Sequence, residues 1–296
     1  MTTARDQEAL TLRQQAFDAM WQGHTEEAIR LYDAALAVAE DEEVAELITI
    51  GKAEALIAAD REGPELQQLP QIVMRRRSPR HVFMAAGVLM RRYNEAEDRK
   101  RALMYGELAR NAAKESGELL PYASVLNVYG IVLTSDSRFA DACAAFEEAI
   151  VVLGNVQPST SATTTLRASI IGNLGGAKIL MDDFEEGIYL INTALPDLTS
   201  EYAKAEACAD LCLGYMQTDR FQEAEYYGNE ALDLACVARQ TRNANHLLGE
   251  LMVRTDRHEQ AEDYFDVVAG FYPQYGTRVR ELLMSVDLLQ VVNWKG

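Results

Sequence analysis

The chain has 296 residues, 48% of them hydrophobic, enough to bury a sizeable core. Its formal net charge of −18 at pH 7 opposes nonspecific binding to nucleic acid or to anionic membrane surfaces, both of which need a basic footprint. No apolar run approaches the roughly 18 residues of a membrane span. The opening stretch MTTARDQEAL has no apolar signal core, and four cysteines without a compact spacing framework fit a cytoplasmic compartment.

In chain order, helical periodicity predicts paired helices throughout and no strand competes with them. The first pair is Asp6–Gln22 and Thr25–Glu40, with Gly23 as a stop and Thr25 as the cap of the second helix. The second is Glu43–Ala59 and Pro64–Arg77, where Pro70 is expected to kink or shorten the helix. The third is Pro79–Tyr93 and Asp98–Ser116, and the fourth Glu118–Thr134 and Arg138–Leu153. A Pro/Ser/Thr-rich connector, Gly154–Thr165, follows and reads as a long loop or a sub-boundary. The fifth pair is Leu166–Met181 and Phe184–Leu195, the sixth Ser200–Thr218 and Phe221–Arg239, and the seventh Arg242–Arg254 and His258–Phe271. Thr277–Val292 reads as a final amphipathic helix that caps the array or binds a partner.

One unit recurs along these pairs. It is clearest in DRFQEAEYYGNEAL (Asp219–Leu232), and returns at Gly23–Leu36, Ser137–Ile150, Asp182–Leu195 and Asp256–Ala269, with a weaker copy starting at Ala102. Each clear copy has a polar turn, then a small residue (Ala28, Ala142, Gly187, Ala224, Ala261). Seven residues on comes a second small or β-branched one (Ala35, Ala149, Ala194, Ala231, Val268). The first small residues are 45, 37 and 37 apart from Ala142 onward, a period that means stacked helical units. Twelve residues before these small residues stand the pairs Tyr129–Gly130, Leu174–Gly175, Leu211–Cys212 and Leu248–Gly249.

In these residues the chain resembles the tetratricopeptide-repeat (TPR) family. The resemblance implies an all-α, right-handed superhelix of about seven antiparallel helix pairs over residues 1–276, with residues 277–296 as a C-terminal cap. It implies no chemistry. The expected role is a non-enzymatic adaptor that binds a peptide or protein segment in a concave groove, without cofactor or metal. The alternative is a ligand- or peptide-responsive sensor acting on a separate regulator or as a homodimer, since no DNA-binding helix-turn-helix precedes the array.

Catalytic and metal motifs fail on inspection. Gly172–Lys178 distantly resembles a phosphate loop, but Ala177 and Ile179 stand where glycine and Ser/Thr are needed, and no strand precedes it. Cys208 and Cys212 share a helix face without a nearby His or Cys to complete a metal site, and read as buried thiols, as do Cys143 and Cys236.

In the family the first helix of each pair lines the groove. Carried over to this chain, that geometry nominates His81, Met84 and Arg91, then Ser124, Asn127 and Ile131. Further along it nominates Gly172, Gly176 and Leu213, with Asn173 flanking the glycines, and finally Asn243 and His246. Two features sharpen the list. Nine of the chain's 28 Lys and Arg fall within Arg75–Arg101, so Arg80, Arg91 and Arg92 are candidates for holding an acidic segment, or else pair with acidic neighbouring repeats. Gly172 and Gly176, one turn apart, form either a dent for a partner's side chain or a close helix contact beside Gly175. The clamp of Lys and Asn that some family members use for a terminal carboxylate is incomplete, with Arg13 and Phe17 in the corresponding stretch.

Overall fold

The computed structural model describes residues 3–290 and Asn293. Among them every regular element is helical. The helices are α1 (Ala4–Trp21), α2 (Thr25–Val38), α3 (Glu42–Ala58), α4 (Pro64–Arg75), α5 (Pro79–Glu95), α6 (Arg99–Ser116), α7 (Leu119–Ser135) and α8 (Phe139–Gly154). They continue as α9 (Ser161–Ile179), α10 (Phe184–Ala194), α11 (Glu201–Gln217), α12 (Phe221–Asp233), α13 (Ala238–Arg254), α14 (His258–Gly270) and α15 (Arg278–Leu283). The chain divides into two compact units, residues 1–132 and 133–296. The division falls inside α7, whereas the connector Gly154–Thr165 contributes the start of α9, whose cap Thr160 accepts from the Thr163 amide.

A single backbone device makes the hairpins. The odd-numbered helices α1 to α13 are each followed by one left-handed residue: Gly23, Asp60, Glu97, Ser137, Asp182, Asp219 and Asp256. The amide of the next residue donates to the carbonyl five positions back, as in His24 to Ala19, Arg61 to Leu56, Arg220 to Tyr215 and Arg257 to Met252, at 2.8–2.9 Å. This is the Schellman closure, which satisfies a helix-end carbonyl and turns the chain sharply. Polar residues tolerate the left-handed turn at modest cost, which explains why the recurring sequence unit opens on a polar pair.

The small positions are where paired helices meet. Ala28, Ala102, Ala142, Ala224 and Ala261 are all completely buried, and Ala35, Ala149, Ala194, Ala231 and Val268 nearly so. Gly175 on α9 faces Gly187 on α10 so closely that a β-carbon at Gly175 would lie 2.8 Å from the Gly187 carbonyl oxygen. In the first unit, Tyr32, Ile48 and Leu56 sit in a core that joins α1, α2 and α3. In the second, Leu211, Leu247, Leu251 and Phe265 anchor a core that runs from α9 to α15.

Three local expectations need correction. The second helix of the first pair has His24, not Thr25, at its cap position, and no side chain closes that end. The expected helix Phe221–Arg239 ends at Asp233, and the next begins at Ala238, so Cys236 lies in an exposed link. The expected single helix over Thr277–Val292 is broken: α15 covers only Arg278–Leu283, followed by a turn and a 3-10 turn at Leu288–Gln290. Val291 and Val292 lie outside the described residues. Pro70 does sit inside α4, a helix of only 12 residues.

Candidate binding pocket

In the first unit, α5 begins at Ser78, whose hydroxyl accepts from the His81 amide, with Pro79 preset for the first turn. The basic segment there is engaged with acidic residues. Arg80 lies 3.9 Å from Glu118, Arg91 pairs with Glu54 of α3, and Arg92 lies 2.8 Å from Glu62. Arg75 and Arg77 converge on Glu42 and Glu46. His81 is buried, with Nδ1 3.0 Å from Glu46 Oε2. Glu46, itself buried, is thus surrounded by two guanidinium groups and an imidazole, the partners a buried carboxylate needs. Each of the three nominated arginines takes a different carboxylate. Met84 is half-buried, Ser124 is exposed, Asn127 is buried, and Ile131 shows 37% of its surface.

In the second unit, Gly172, Gly176 and Leu213 are buried and Asn173 is half-buried. A methyl group at Gly172 would meet Ala194 of α10 at 3.9 Å, an ordinary contact. The tight approach belongs instead to Gly175. Cys208 and Cys212 are buried, and burial pushes both thiols up to about 12. No group of metal-ligating side chains occurs among the described residues.

Asn243 and His246 are brought together. One turn apart on α13, they line a partly open cavity of about 470 Å³ bordered by α13, the end of α14, α15 and the C-terminal segment. That volume falls in the range of small-ligand pockets, roughly 300–1,000 Å³. Its apolar wall is Val268, Val279, Leu282, Leu283 and Leu288. Its polar residues are Arg242, Asn243, His246, Tyr272, Tyr275 and Arg278, with Asn293 from the C-terminal segment.

The hydrogen bonding of these groups is uneven. Arg242 donates to Asn243 Oδ1 at 3.1 Å through Nε and Nη2, and to the Tyr272 hydroxyl at 3.1 Å through Nη1. The other end of the amide, Asn243 Nδ2, is buried and has no hydrogen-bond partner among the described residues. His246 Nε2 is also without a hydrogen bond there, 3.5 Å from the buried Glu250 Oε1, which likewise lacks one. A buried donor left unmade costs about 1–3 kcal/mol, so Asn243 Nδ2 carries a standing demand for an acceptor, whereas His246 Nε2 and Glu250 Oε1 face each other.

The C-terminal segment is tied down at Asp287 and at Asn293. Asp287 accepts from Arg254 Nη2 at 2.7 Å, and Asn293 Nδ2 donates to the Thr134 carbonyl at 2.8 Å and lies 3.2 Å from Ser137 Oγ. Tyr272, Tyr275, Arg242 and Arg278 were missed by reasoning from the repeat, because three of the four lie after α14, the last helix of the repeated pairs. Pro273 and Gly276 signal the end of the last repeat helix, but no proline or glycine marks the break after Leu283.

No protein-family model matches the chain. No curated protein matches it either. Solved structures do resemble it in fold. The apo form of the quorum sensor NprR from B. thuringiensis is 14% identical with a TM-score of 0.68, over 94% of this chain and 81% of that one. The apo form of RapI is 10% identical with a TM-score of 0.62, over 92% of this chain and 79% of that one. A tetratricopeptide repeat protein from Parabacteroides merdae ATCC 43184 is 13% identical with a TM-score of 0.55, over 94% and 98% of the two chains. The fold is therefore TPR-like and all-α. No helix among the described residues is long and apolar enough to cross a membrane.

Proposed function

We propose that the chain is a non-enzymatic interaction module that binds a peptide or protein segment on the first-helix faces of its repeats. The observation that carries this reading is on α13. Two residues nominated only because the repeat geometry points them at a groove, Asn243 and His246, line a cavity and hold polar atoms without hydrogen bonds. Preformed helical surfaces of this kind recognise segments through a few anchors, and affinity follows anchor quality rather than area.

The test is selection of a peptide display library, presented with free C-termini, against the immobilised full chain. We expect an enriched consensus whose binding falls at least tenfold in Asn243→Leu. Arg91→Glu/Arg92→Glu tests the basic segment of the first unit as a separate surface, where a ligand would have to displace Glu54 and Glu62 and an acidic consensus is the expectation. Failure to enrich any consensus would overturn the interaction reading.

A second reading, a ligand-responsive sensor, is favoured by the C-terminal segment. Leu288 and Asn293 form part of the pocket wall, so a ligand bound there contacts the C-terminal segment. A ligand that binds two arrangements of such a segment with different affinity shifts their populations. NprR, similar in fold, is a quorum sensor. Hydrogen exchange at residues 284–290 separates the readings: a change on peptide binding supports the sensor, and unchanged exchange supports the adaptor.

A further inference from the structure

We infer that the pocket beside α13 takes the C-terminal residue of a peptide, holding its carboxylate between Arg278 and Asn243 with an apolar side chain against α15. This rests on the interaction reading above and names the ligand end that this site accepts.

The charge pattern is the first ground. In a chain with 46 acidic and 28 basic residues, no Asp or Glu among the described residues lines this cavity, whereas Arg242 and Arg278 do. On the neighbouring stretches of α12 to α15 four other arginines are spent on carboxylates: Arg239 on Glu206, Arg254 on Asp287, Arg257 on Glu225 and Arg280 on Asp266. Arg242 and Arg278 form no ion pair among the described residues. Arg242 is committed to two neutral acceptors, Asn243 Oδ1 and the Tyr272 hydroxyl, which fix its side chain beside the pocket. Arg278 is exposed and has its guanidinium fork available, the geometry that receives a carboxylate bidentately.

The second ground is the orphan donor. Arg242 occupies the amide's oxygen, and this fixes Asn243 with its nitrogen as the unsatisfied end. Asn243 Nδ2 is therefore a donor without an acceptor, beside the unpaired guanidinium of Arg278. A carboxylate is an acceptor-only group and supplies what both Arg278 and Asn243 require. The third ground is the wall. Val279, Leu282, Leu283 and Leu288 suit an apolar body attached to that carboxylate, and one free guanidinium suits a single negative charge.

The experiment is isothermal titration of the full chain with three probes: N-acetyl-Ala-Leu-Leu with a free C-terminus, the same peptide as its C-terminal amide, and octanoate. The free-acid peptide is expected to bind, and the amide to bind at least about tenfold more weakly, since a hydrogen-bonded charge is lost. Arg278→Glu, at an exposed and unpaired position, is expected to abolish the difference between acid and amide while leaving the melting temperature unchanged. Asn243→Leu is expected to weaken the acid alone. Equal binding of acid and amide, or no binding of either at millimolar concentration, overturns the proposal. Binding of octanoate without the peptide overturns the peptide assignment in favour of a free acid. If display-selected peptides bind equally well as amides and to Arg278→Glu, the interaction reading stands and this assignment falls.

Discussion

Gly172 and Gly175 lie one turn apart on α9, yet alanine should act on them with opposite sign. Both glycines cost the helix about 1 kcal/mol relative to alanine, because the unfolded chain gains freedom from them. At Gly172 the added methyl meets only Ala194 Cβ at 3.9 Å, so most of that cost is recovered and the variant gains about 0.5–1 kcal/mol. At Gly175 the methyl would fall 2.6 Å from Ile191 Cγ1, 2.8 Å from the Gly187 carbonyl oxygen and 3.2 Å from the Ile191 amide nitrogen. Ile191 can rotate its side chain, but the backbone of α10 can yield only by moving away from α9. Overpacking of this sort costs roughly 1–3 kcal/mol, more when backbone is the obstacle, so Gly175→Ala loses about 1–2 kcal/mol net. Thermal melts of the two full-length variants should separate by roughly 2–5 °C. Comparable stability of the two variants would refute the α9–α10 contact, and a stable Gly175→Ala would also remove the packing reason for the small position. Gly172→Leu then becomes interpretable: a loss of peptide binding without loss of stability would mean that Gly172 serves the ligand.

Replacing a left-handed turn residue by glycine, as in Glu97→Gly, should raise stability by up to about 1 kcal/mol, read by urea denaturation, because φ is 58° there. Asp6 accepts from the amides of Glu40 and Asp41 and from the Thr3 hydroxyl, and these hydrogen bonds, the Thr3 hydroxyl first, hold its carboxyl down at about 2. Its folded value lies below the unfolded 3.8, so its contribution is complete above about pH 4 and is lost as pH falls through about 2; a carboxyl NMR titration with a midpoint near 3.8 would contradict this. Of the four cysteines, Cys236 alone should react quickly with an aromatic disulfide reagent at pH 8. Cys143, Cys208 and Cys212 are buried with raised thiol values, and should react only in denaturant. Two fast thiols in the native protein would place α11 or α8 wrongly.

What the sequence made legible is what repeats. The small residues, the polar turns and the alternation of helices follow from one local solution used again and again: a left-handed turn, a Schellman closure, then a small residue where two helices touch. Ala28, Ala142, Gly187, Ala224 and Ala261 could be recognised because the same steric demand recurs at each. The fate of the basic segment was less legible. Arg91 and Glu54 are 37 residues apart in sequence and pair only because successive repeats lie side by side. Arg75, Arg77 and His81 likewise find Glu46 across a repeat, and nothing within a single helix announces it.

The pocket was least legible, for the opposite reason. A repeat unit buries its apolar face against the next copy, and the last copy has none. The residues after α14 must cover that face while no longer obeying the period, and here they do so in pieces: a turn through Pro273–Tyr275, the short α15, then Leu288–Gln290. Pieces cover a face less completely than a single amphipathic helix would, and a cavity results between them and α13. A uniform helix over Thr277–Val292 would have placed Val279, Leu282, Leu283, Val286 and Leu289 as one stripe. In the observed arrangement Val279, Leu282 and Leu283 remain on the wall, Val286 is exposed, and Arg278 reaches the rim. The site thus arises where the periodic pattern ends, from groove residues that the repeat positions and a closing segment that the repeat does not specify.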